Sequence, residues 1–267
     1  MAKKKKKQEE EIDPEEFVEE DFEPEFEEDF EDDLDLEAEL DLLDTEDIEI
    51  LEEEEEIVEE DEELKQLYLS CGIHIGTKLL TGDVKDAGFY FKQTNYGLYI
   101  INIEETKERI KIASKFLAKY IEEGSDKVIV SSVRRYGKEP VRKFCEALGC
   151  KAIVDRFIPG SLTNPEIDTY IKDASLVFIV DPHADKVILR EAQLARIPVV
   201  SLIDTDDTFA GIDVAIPANN RGKKALGLAF WLLARQISLN LGKISSEDEF
   251  PFTLDEFTSN IVPVYRQ

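Results

Sequence analysis

The stretch that decides the fold is Lys127-Val128-Ile129-Val130-Ser131, a short and almost entirely apolar run that follows a helical pattern. Two similar runs come later in the chain, LVFIV at 176–180 and VVSLI at 199–203. Continuous apolar runs of this length are typical of parallel strands that are covered on both faces. The sequence therefore predicts an α/β domain built on a doubly wound, mainly parallel sheet.

Amphipathic segments alternate with these runs from Leu64 onward. Apolar spacing predicts helices over 104–122, 140–148, 184–195 and 223–241, and strands over 89–92, 98–103, 127–131, 152–154, 176–180 and 199–203. Glu191 lies between Ile188 and Leu194 on the apolar stripe of its helix. Because an isolated buried carboxylate is costly, we expect Glu191 to have a hydrogen-bonded or charged partner inside the domain.

Charge is distributed very unevenly along the chain. The total is −29, but residues 9–63 hold 35 acidic residues and no Lys or Arg, directly after the five lysines at 3–7. Such composition predicts a disordered acidic tail with a short polybasic head over residues 1–63, an α/β domain over 64–242 and a C-terminal extension over 243–267. The tail is either a solvating segment or an acidic and aromatic arm that docks on a basic protein or covers the domain's own binding surface.

Several protein classes are disfavoured by composition. Three cysteines, Cys71, Cys145 and Cys150, form no CxxC pair, which fits reduced thiols better than disulfides or a zinc site. No apolar stretch approaches the roughly 18 residues that a membrane-spanning helix needs. The basic N-terminus is not followed by an apolar signal-peptide region. We therefore expect a cytoplasmic protein with no membrane association.

Ligands of doubly wound sheets gather beyond the carboxyl ends of the strands, so the loops there are informative. After the first run come Arg134, Arg135, Tyr136 and Lys138, with Arg142 in the next helix. These residues suit phosphate contacts and base stacking, although a solvated basic turn with salt bridges to Glu139 or Glu146 is the alternative. A second basic group, Arg221, Lys223 and Lys224, opens the last helix where acidic residues are preferred, which indicates either a bound anion or ordinary surface lysines.

Other loops at these strand ends are acidic and contain Asp181 and Asp204. Such carboxylates either hold magnesium for phosphoryl chemistry or, as we favour, cap helices and turns. Nucleotide-binding fingerprints are missing, since GIHIGTK at 72–78 has only three residues between its glycines. His74 and His183 have no neighbouring nucleophile or ligand cluster, and we interpret both as structural.

An ordered series of segments over 64–241 resembles the small-subunit ribosomal protein S2 family of archaeal type, whose eukaryotic members are called laminin-receptor precursors. The segments that carry the resemblance are GIHIGT at 72–77, NYGL at 95–98, SSVR at 131–134, RFIPGSLTNP at 156–165, VDPH at 180–183, EA at 191–192, IPVV at 197–200, DT at 204–205 and IPANN at 216–220. Residues 1–63 have no counterpart in that pattern.

This resemblance implies a flavodoxin-like domain that acts in translation as a structural component of the small ribosomal subunit. It implies contacts with ribosomal RNA and neighbouring ribosomal proteins, a single copy in the particle, and no catalysis, cofactor, metal or small-molecule substrate. Arg156, Lys78 and Lys92 join the residues above as candidate phosphate contacts. An enzyme of the same fold acting on a phosphorylated small molecule is the main alternative, and an acidic chaperone for basic ribosomal proteins is the other.

Overall fold

The computed structural model describes residues 64–246 and 249–258. The predicted tail over 1–63 and much of the C-terminal extension lie outside the described residues. The described helices are α1 (64–71), α2 (Gly82–Asp86), α3 (Ile103–Gly124), α4 (Lys138–Leu148), α5 (Lys186–Ala195), α6 (Lys223–Asn240) and α7 (Leu254–Phe257). The strands are β1 (Tyr90–Gln93), β2 (Tyr99–Ile101), β3 (Val128–Ser131), β4 (Lys151–Ile153), β5 (Leu176–Ile179), β6 (Val199–Ile203) and β7 (Val214–Pro217).

Five strands form one parallel sheet in the order β4-β3-β5-β6-β7. In chain order this is the 2-1-3-4-5 arrangement of flavodoxin-like sheets, in which the crevice between the first and third strands is the usual ligand position. Here that switch point lies between the ends of β3 and β5. The predicted doubly wound α/β fold is confirmed.

The two faces of the sheet are covered differently. Val128 and Val130 of β3 point into the larger core, where α6 packs against both α3 and α4. Ile129 points to the opposite face, which is covered by α5 and by the long loop between β4 and β5. This alternation explains why all four β3 residues are buried and why the strand is apolar apart from its last residue.

The segment after α1 closes the sheet at its carboxyl edge. The Gly76 amide donates to Tyr99 of the β1–β2 hairpin at 2.9 Å, and the Thr77 amide donates to Thr205 Oγ1 at 2.8 Å. Thr81 Oγ1 then donates to the Asp207 carbonyl at 2.6 Å. Residues 76–81 are thereby fixed against the loop that follows β6.

The described part of the C-terminal extension belongs to the same fold. Trp231 of α6 donates its indole N–H to the Phe252 carbonyl at 2.9 Å. Phe257 of α7 is fully buried, and α7 packs against α4 and α6. The aromatic residues of this segment thus cover one end of the larger core.

Three elements were missed by the sequence analysis: α2, α7 and the edge strand β7. The sequence of β7 is Val-Ala-Ile-Pro, and its partly exposed first half and terminal proline weaken the strand pattern. Proline is tolerated there because it stands at the last residue of an edge strand. None of the described helices is both long and apolar enough to cross a membrane.

Candidate nucleic-acid interface

Most of the predicted basic residues lie along the carboxyl edge of the parallel sheet. Arg134 and Arg135 follow β3, Arg156 follows β4, and Arg221 follows β7. Lys78 reaches the same edge because its segment is bound to the loop after β6. Lys92 is the exception, since it lies in β1 of the separate hairpin. The fold therefore collects cations from distant parts of the sequence along one rim.

Arg134 occupies the switch point of the sheet, but its guanidinium is already bound to a carboxylate. Its Nε and Nη2 both contact Asp181 Oδ2, and Asp181 is completely buried. Asp181 Oδ1 accepts from the amides of His183 (2.7 Å) and Ala184 (3.1 Å). Asp181 therefore anchors the loop that leads into α5 and has Arg134 as its counter-ion.

Arg221 has a similar position at the next strand ends. Its Nη2 donates to Asp206 at 2.5 Å, and its Nε lies 3.9 Å from a carboxylate oxygen of Asp204. Asp207, also fully buried, accepts from the Asp204 amide at 2.8 Å and from Asn220 Nδ2 at 2.7 Å. The interpretation of Asp181 and Asp204 as turn residues agrees with these bonds, and within the described residues no cluster of three metal-ligating side chains occurs.

Burial changes the acidity of three carboxyl groups along this edge. Loss of hydration raises the pKa of Asp204 to about 7 from its ordinary 3.8, despite hydrogen bonding from the Thr205 amide. The same cause raises the pKa of Asp185 to about 6 and that of Asp207 to about 6. The nearby carboxylates also raise the pKa of Arg221, although burial opposes them. Burial therefore disfavours the charged form of these acids, and their hydrogen bonds to backbone amides of the loops oppose that effect.

Several other predicted residues are engaged within the domain. Lys138 pairs with Asp155 at 3.0 Å, and Arg142 pairs with Glu139 one helical turn away. The Tyr136 ring packs against the larger core. Arg135 is exposed and also has an interaction within the chain. The alternative of a basic turn with salt bridges therefore describes Arg142 well.

A second group of predicted residues has no ion pair among the residues that the structure describes. Lys78, Arg156 and Lys224 are exposed, and Lys223 is partly exposed. Lys92 is exposed with its ammonium 5.5 Å from the Phe91 ring centroid. These five side chains present cations that have no carboxylate partner within the described domain.

The N-terminus of α6 is open as well as basic. Asn219 does not cap the helix directly, because its Oδ1 accepts from the amides of Arg221 (3.0 Å) and Gly222 (2.9 Å), which precede the first turn. Gly222 is the N-cap residue and provides no side-chain cap, and the first turn contains no acidic residue. The free amides of this turn carry partial positive charge, and Lys223 and Lys224 add positive charge at the same end of the helix.

Glu191 has the buried partners that its position requires. Its two carboxylate oxygens accept from the amides of Gly160 at 2.5 Å and Leu162 at 3.2 Å. The prediction of a hydrogen-bonded partner is confirmed. Glu191 thereby ties α5 to the loop that carries Arg156.

Comparison with known proteins identifies the family. The family model described as ribosomal protein S2 matches residues 68–175 and 165–239. The chain belongs to the ribosomal protein S2 family. It is 43% identical over 195 residues to the small ribosomal subunit protein uS2 of Pyrobaculum arsenaticum. The aligned region covers 73% of this chain and 92% of the relative. The corresponding protein of Staphylothermus marinus is 44% identical over 190 residues, 71% of this chain and 84% of the relative.

Family membership confirms the resemblance that the sequence motifs indicated. It also decides between the alternatives, because a member of the ribosomal protein S2 family is a structural ribosomal protein and not an enzyme. The ion pairs of Asp181 and Asp204 are consistent with this outcome, since both carboxylates serve the loops that shape the basic rim.

Proposed function

We propose that this chain is a structural protein of the small ribosomal subunit that binds ribosomal RNA with the carboxyl edge of its sheet. One observation carries the assignment of the surface. Along this edge, Asp181, Asp185, Asp204 and Asp207 are buried, whereas Lys78, Arg156 and Lys224 are exposed. Asp155 is exposed on the same edge but is paired with Lys138, so the unpaired charges named here that face solvent are basic.

The predicted residues then divide into two roles. Lys78, Arg156, Lys223 and Lys224 contact phosphates, and the further candidates are Arg135 after β3 and Lys92 on the β1–β2 hairpin. Arg134 and Arg221 neutralise buried carboxylates and hold the loops in position. Phosphate contacts of this kind fix position and orientation without reading sequence.

The other partners follow from the same assignment. Neighbouring small-subunit proteins contact the chain, which is present as one copy on cytoplasmic ribosomes. Residues 64–242 form the RNA-binding domain, and residues 1–63 form an acidic extension of it. The acidic extension contributes most of the chain's negative charge, so it lowers the affinity of the free protein for non-specific RNA.

Charge removal tests the assignment. The triple variant Lys78→Ala, Arg156→Ala, Lys224→Ala should bind small-subunit ribosomal RNA more weakly, and the log–log salt slope should fall by roughly 0.7–0.9 for each phosphate that the variant no longer neutralises. The matched control is Lys115→Ala with Lys119→Ala, two exposed lysines on α3. Filter binding over a series of salt concentrations gives both quantities. Equal slopes for the triple variant and the wild type would remove this surface from the interface.

A further inference from the structure

A groove of about 410 Å³ runs between α5 and residues 208–210 of the loop that follows β6, and we call it the α5 groove. Lys186, Arg190 and Gln193 line it from α5. Their spacing of i, i+4 and i+7 places them on one stripe of the helix. Gln193 donates from Nε2 to the Ala210 carbonyl at 3.2 Å, so this stripe faces the loop.

The lining of the α5 groove carries positive charge. Lys186 and Arg190 are exposed, and neither has an ion pair among the residues that the structure describes. The only acidic residue of α5 is Glu191, which is buried on another side of the helix and bound to the amides of the loop after β4. The exposed surface of α5 is therefore cationic, and a partner with negative charge is attracted to it.

The acidic residues of the loop after β6 do not neutralise this charge. Asp204 and Asp207 are buried, and Asp206 pairs with Arg221. Asp213 is exposed, but it does not line the α5 groove. The two cations of the groove thus stay available to a partner.

The rest of the lining indicates which part of a nucleic acid the groove fits. Its apolar members are Pro182, Leu189 and Ala210, and no Phe, Tyr or Trp of the described chain lines it. Proteins hold unpaired bases mainly by stacking them on aromatic side chains, whereas Lys and Arg contact phosphates. The α5 groove therefore suits a sugar–phosphate backbone better than a base.

The α5 groove opens onto the carboxyl edge of the sheet. His183 follows β5 and Thr208 follows β6, and both line the groove at this end. Lys186 stands in the first turn of α5, and Arg190 lies about 6 Å further along the helix axis. The cations of the groove thus continue the basic rim along one flank of α5. An RNA strand that contacts the rim can follow them, and this continuity favours RNA over an acidic protein segment.

We propose that the α5 groove binds the sugar–phosphate backbone of ribosomal RNA, with Lys186 and Arg190 contacting phosphates. The inference rests on the proposed RNA-binding function and extends that function from the carboxyl edge onto the flank of α5. The contact fixes the position of the domain on the RNA and reads no base. An acidic segment of a neighbouring ribosomal protein is the competing occupant.

The first test removes the two charges from the full-length chain. Lys186→Ala with Arg190→Ala should weaken binding to small-subunit ribosomal RNA, and the log–log salt slope should fall by roughly 1.4–1.8 for two phosphates released. The matched control is Lys115→Ala with Lys119→Ala, which makes the same change of charge on α3, at the opposite face of the sheet. The control should keep the wild-type slope.

A second variant separates the charge of the groove from its shape. Lys186→Arg with Arg190→Lys keeps both cations and should keep the wild-type salt slope. Thermal unfolding should be the same for all of these variants, because the replaced side chains are exposed and have no ion pair within the described domain. A loss of binding in the alanine variant then reports a lost contact and not a loss of folded protein.

A photo-crosslinking residue in place of Thr208 decides the occupant, because Thr208 is exposed, uncharged and part of the groove lining. On small subunits, a crosslink to ribosomal RNA supports the proposal, and a crosslink to a ribosomal protein overturns it. Hydroxyl-radical footprinting should also show backbone sugars that the wild type protects and that Lys186→Ala with Arg190→Ala leaves accessible.

The outcomes separate this inference from the proposed function. An unchanged salt slope for Lys186→Ala with Arg190→Ala overturns the groove contact. The carboxyl edge keeps its role in that case if removal of Lys78, Arg156 and Lys224 still lowers the slope. If the wild type itself fails to bind small-subunit ribosomal RNA, the proposed function fails and the groove contact fails with it.

Discussion

Replacing Glu191 with glutamine should loosen the loop that carries Arg156 and destabilise the domain. Glu191 is 8% exposed and accepts hydrogen bonds from two backbone amides of that loop. A glutamine retains one acceptor oxygen and turns an NH₂ group toward the other amide. Hydrogen bonds to a charged acceptor contribute about 1.5–3 kcal/mol each, and a buried amide left without an acceptor costs about 1–3 kcal/mol. We expect Glu191→Gln to destabilise the domain by about 2–3 kcal/mol and Glu191→Ala by about 3–5 kcal/mol.

Urea unfolding monitored by the fluorescence of Trp231 measures these changes. The matched control is Arg190→Ala, an exposed residue on the same helix, which should stay within about 0.5 kcal/mol of the wild type. Hydrogen exchange should report faster exchange of the Gly160 and Leu162 amides in Glu191→Gln. A midpoint for Glu191→Gln equal to that of the control would refute the argument that this carboxylate holds the loop.

Three further predictions concern the other contacts of the carboxyl edge. Arg134→Ala leaves Asp181 buried without its counter-ion. Because Arg134 is itself partly exposed, the loss of unfolding free energy should be about 2–3 kcal/mol. Adding Asp181→Asn should restore much of the thermal midpoint, and no restoration would mean that the pair is not coupled. Gly76→Ala would place a Cβ 2.5 Å from Thr205 Cγ2, whereas nothing lies within 4 Å of a Cβ built on Gly82. Calorimetry should therefore show a lower melting temperature for Gly76→Ala and an unchanged or higher melting temperature for Gly82→Ala. Because the pKa of Asp204 is raised to about 7 in the folded domain, the folded state binds its proton more tightly than the unfolded chain does, and the unfolding free energy from this group falls as pH rises from about 4 to 7. Asp204→Asn should therefore gain stability relative to the wild type as pH rises through that range, and parallel pH profiles for the two proteins would contradict the assignment.

Much of the fold could be predicted from local sequence. The β3, β5 and β6 runs are buried on both faces, so their composition is determined by the sheet alone. The edge strand β7 was not predicted, because one side of an edge strand needs no hydrogen-bonding partner and its proline weakens the strand pattern of the sequence. The start of α3 differs from the predicted one by a single residue, since Asn102 serves as its cap only in the context of the preceding hairpin.

Sequence also predicted that most of the basic residues lie at the carboxyl ends of the strands, because strand ends can be found from strand patterns. It did not indicate which cations would be engaged internally. Arg134 and Arg135 are neighbours with the same chemistry, yet only tertiary structure places Arg134 against Asp181, 47 residues away. Asp185 was not singled out for the same reason. Its carboxylate accepts a hydrogen bond from the Val133 amide, 52 residues away in the sequence.

The way residues 72–81 are bound has a consequence for synthesis of the chain. Gly72 accepts from Asn219 Nδ2 at 3.1 Å across 147 residues, and Thr77 is bound to Thr205 across 128 residues. Contacts of such long sequence separation form late, because their loop-closure entropy is large. The basic rim is therefore complete only after almost the whole domain has left the translating ribosome, so a nascent or truncated chain lacks the finished surface.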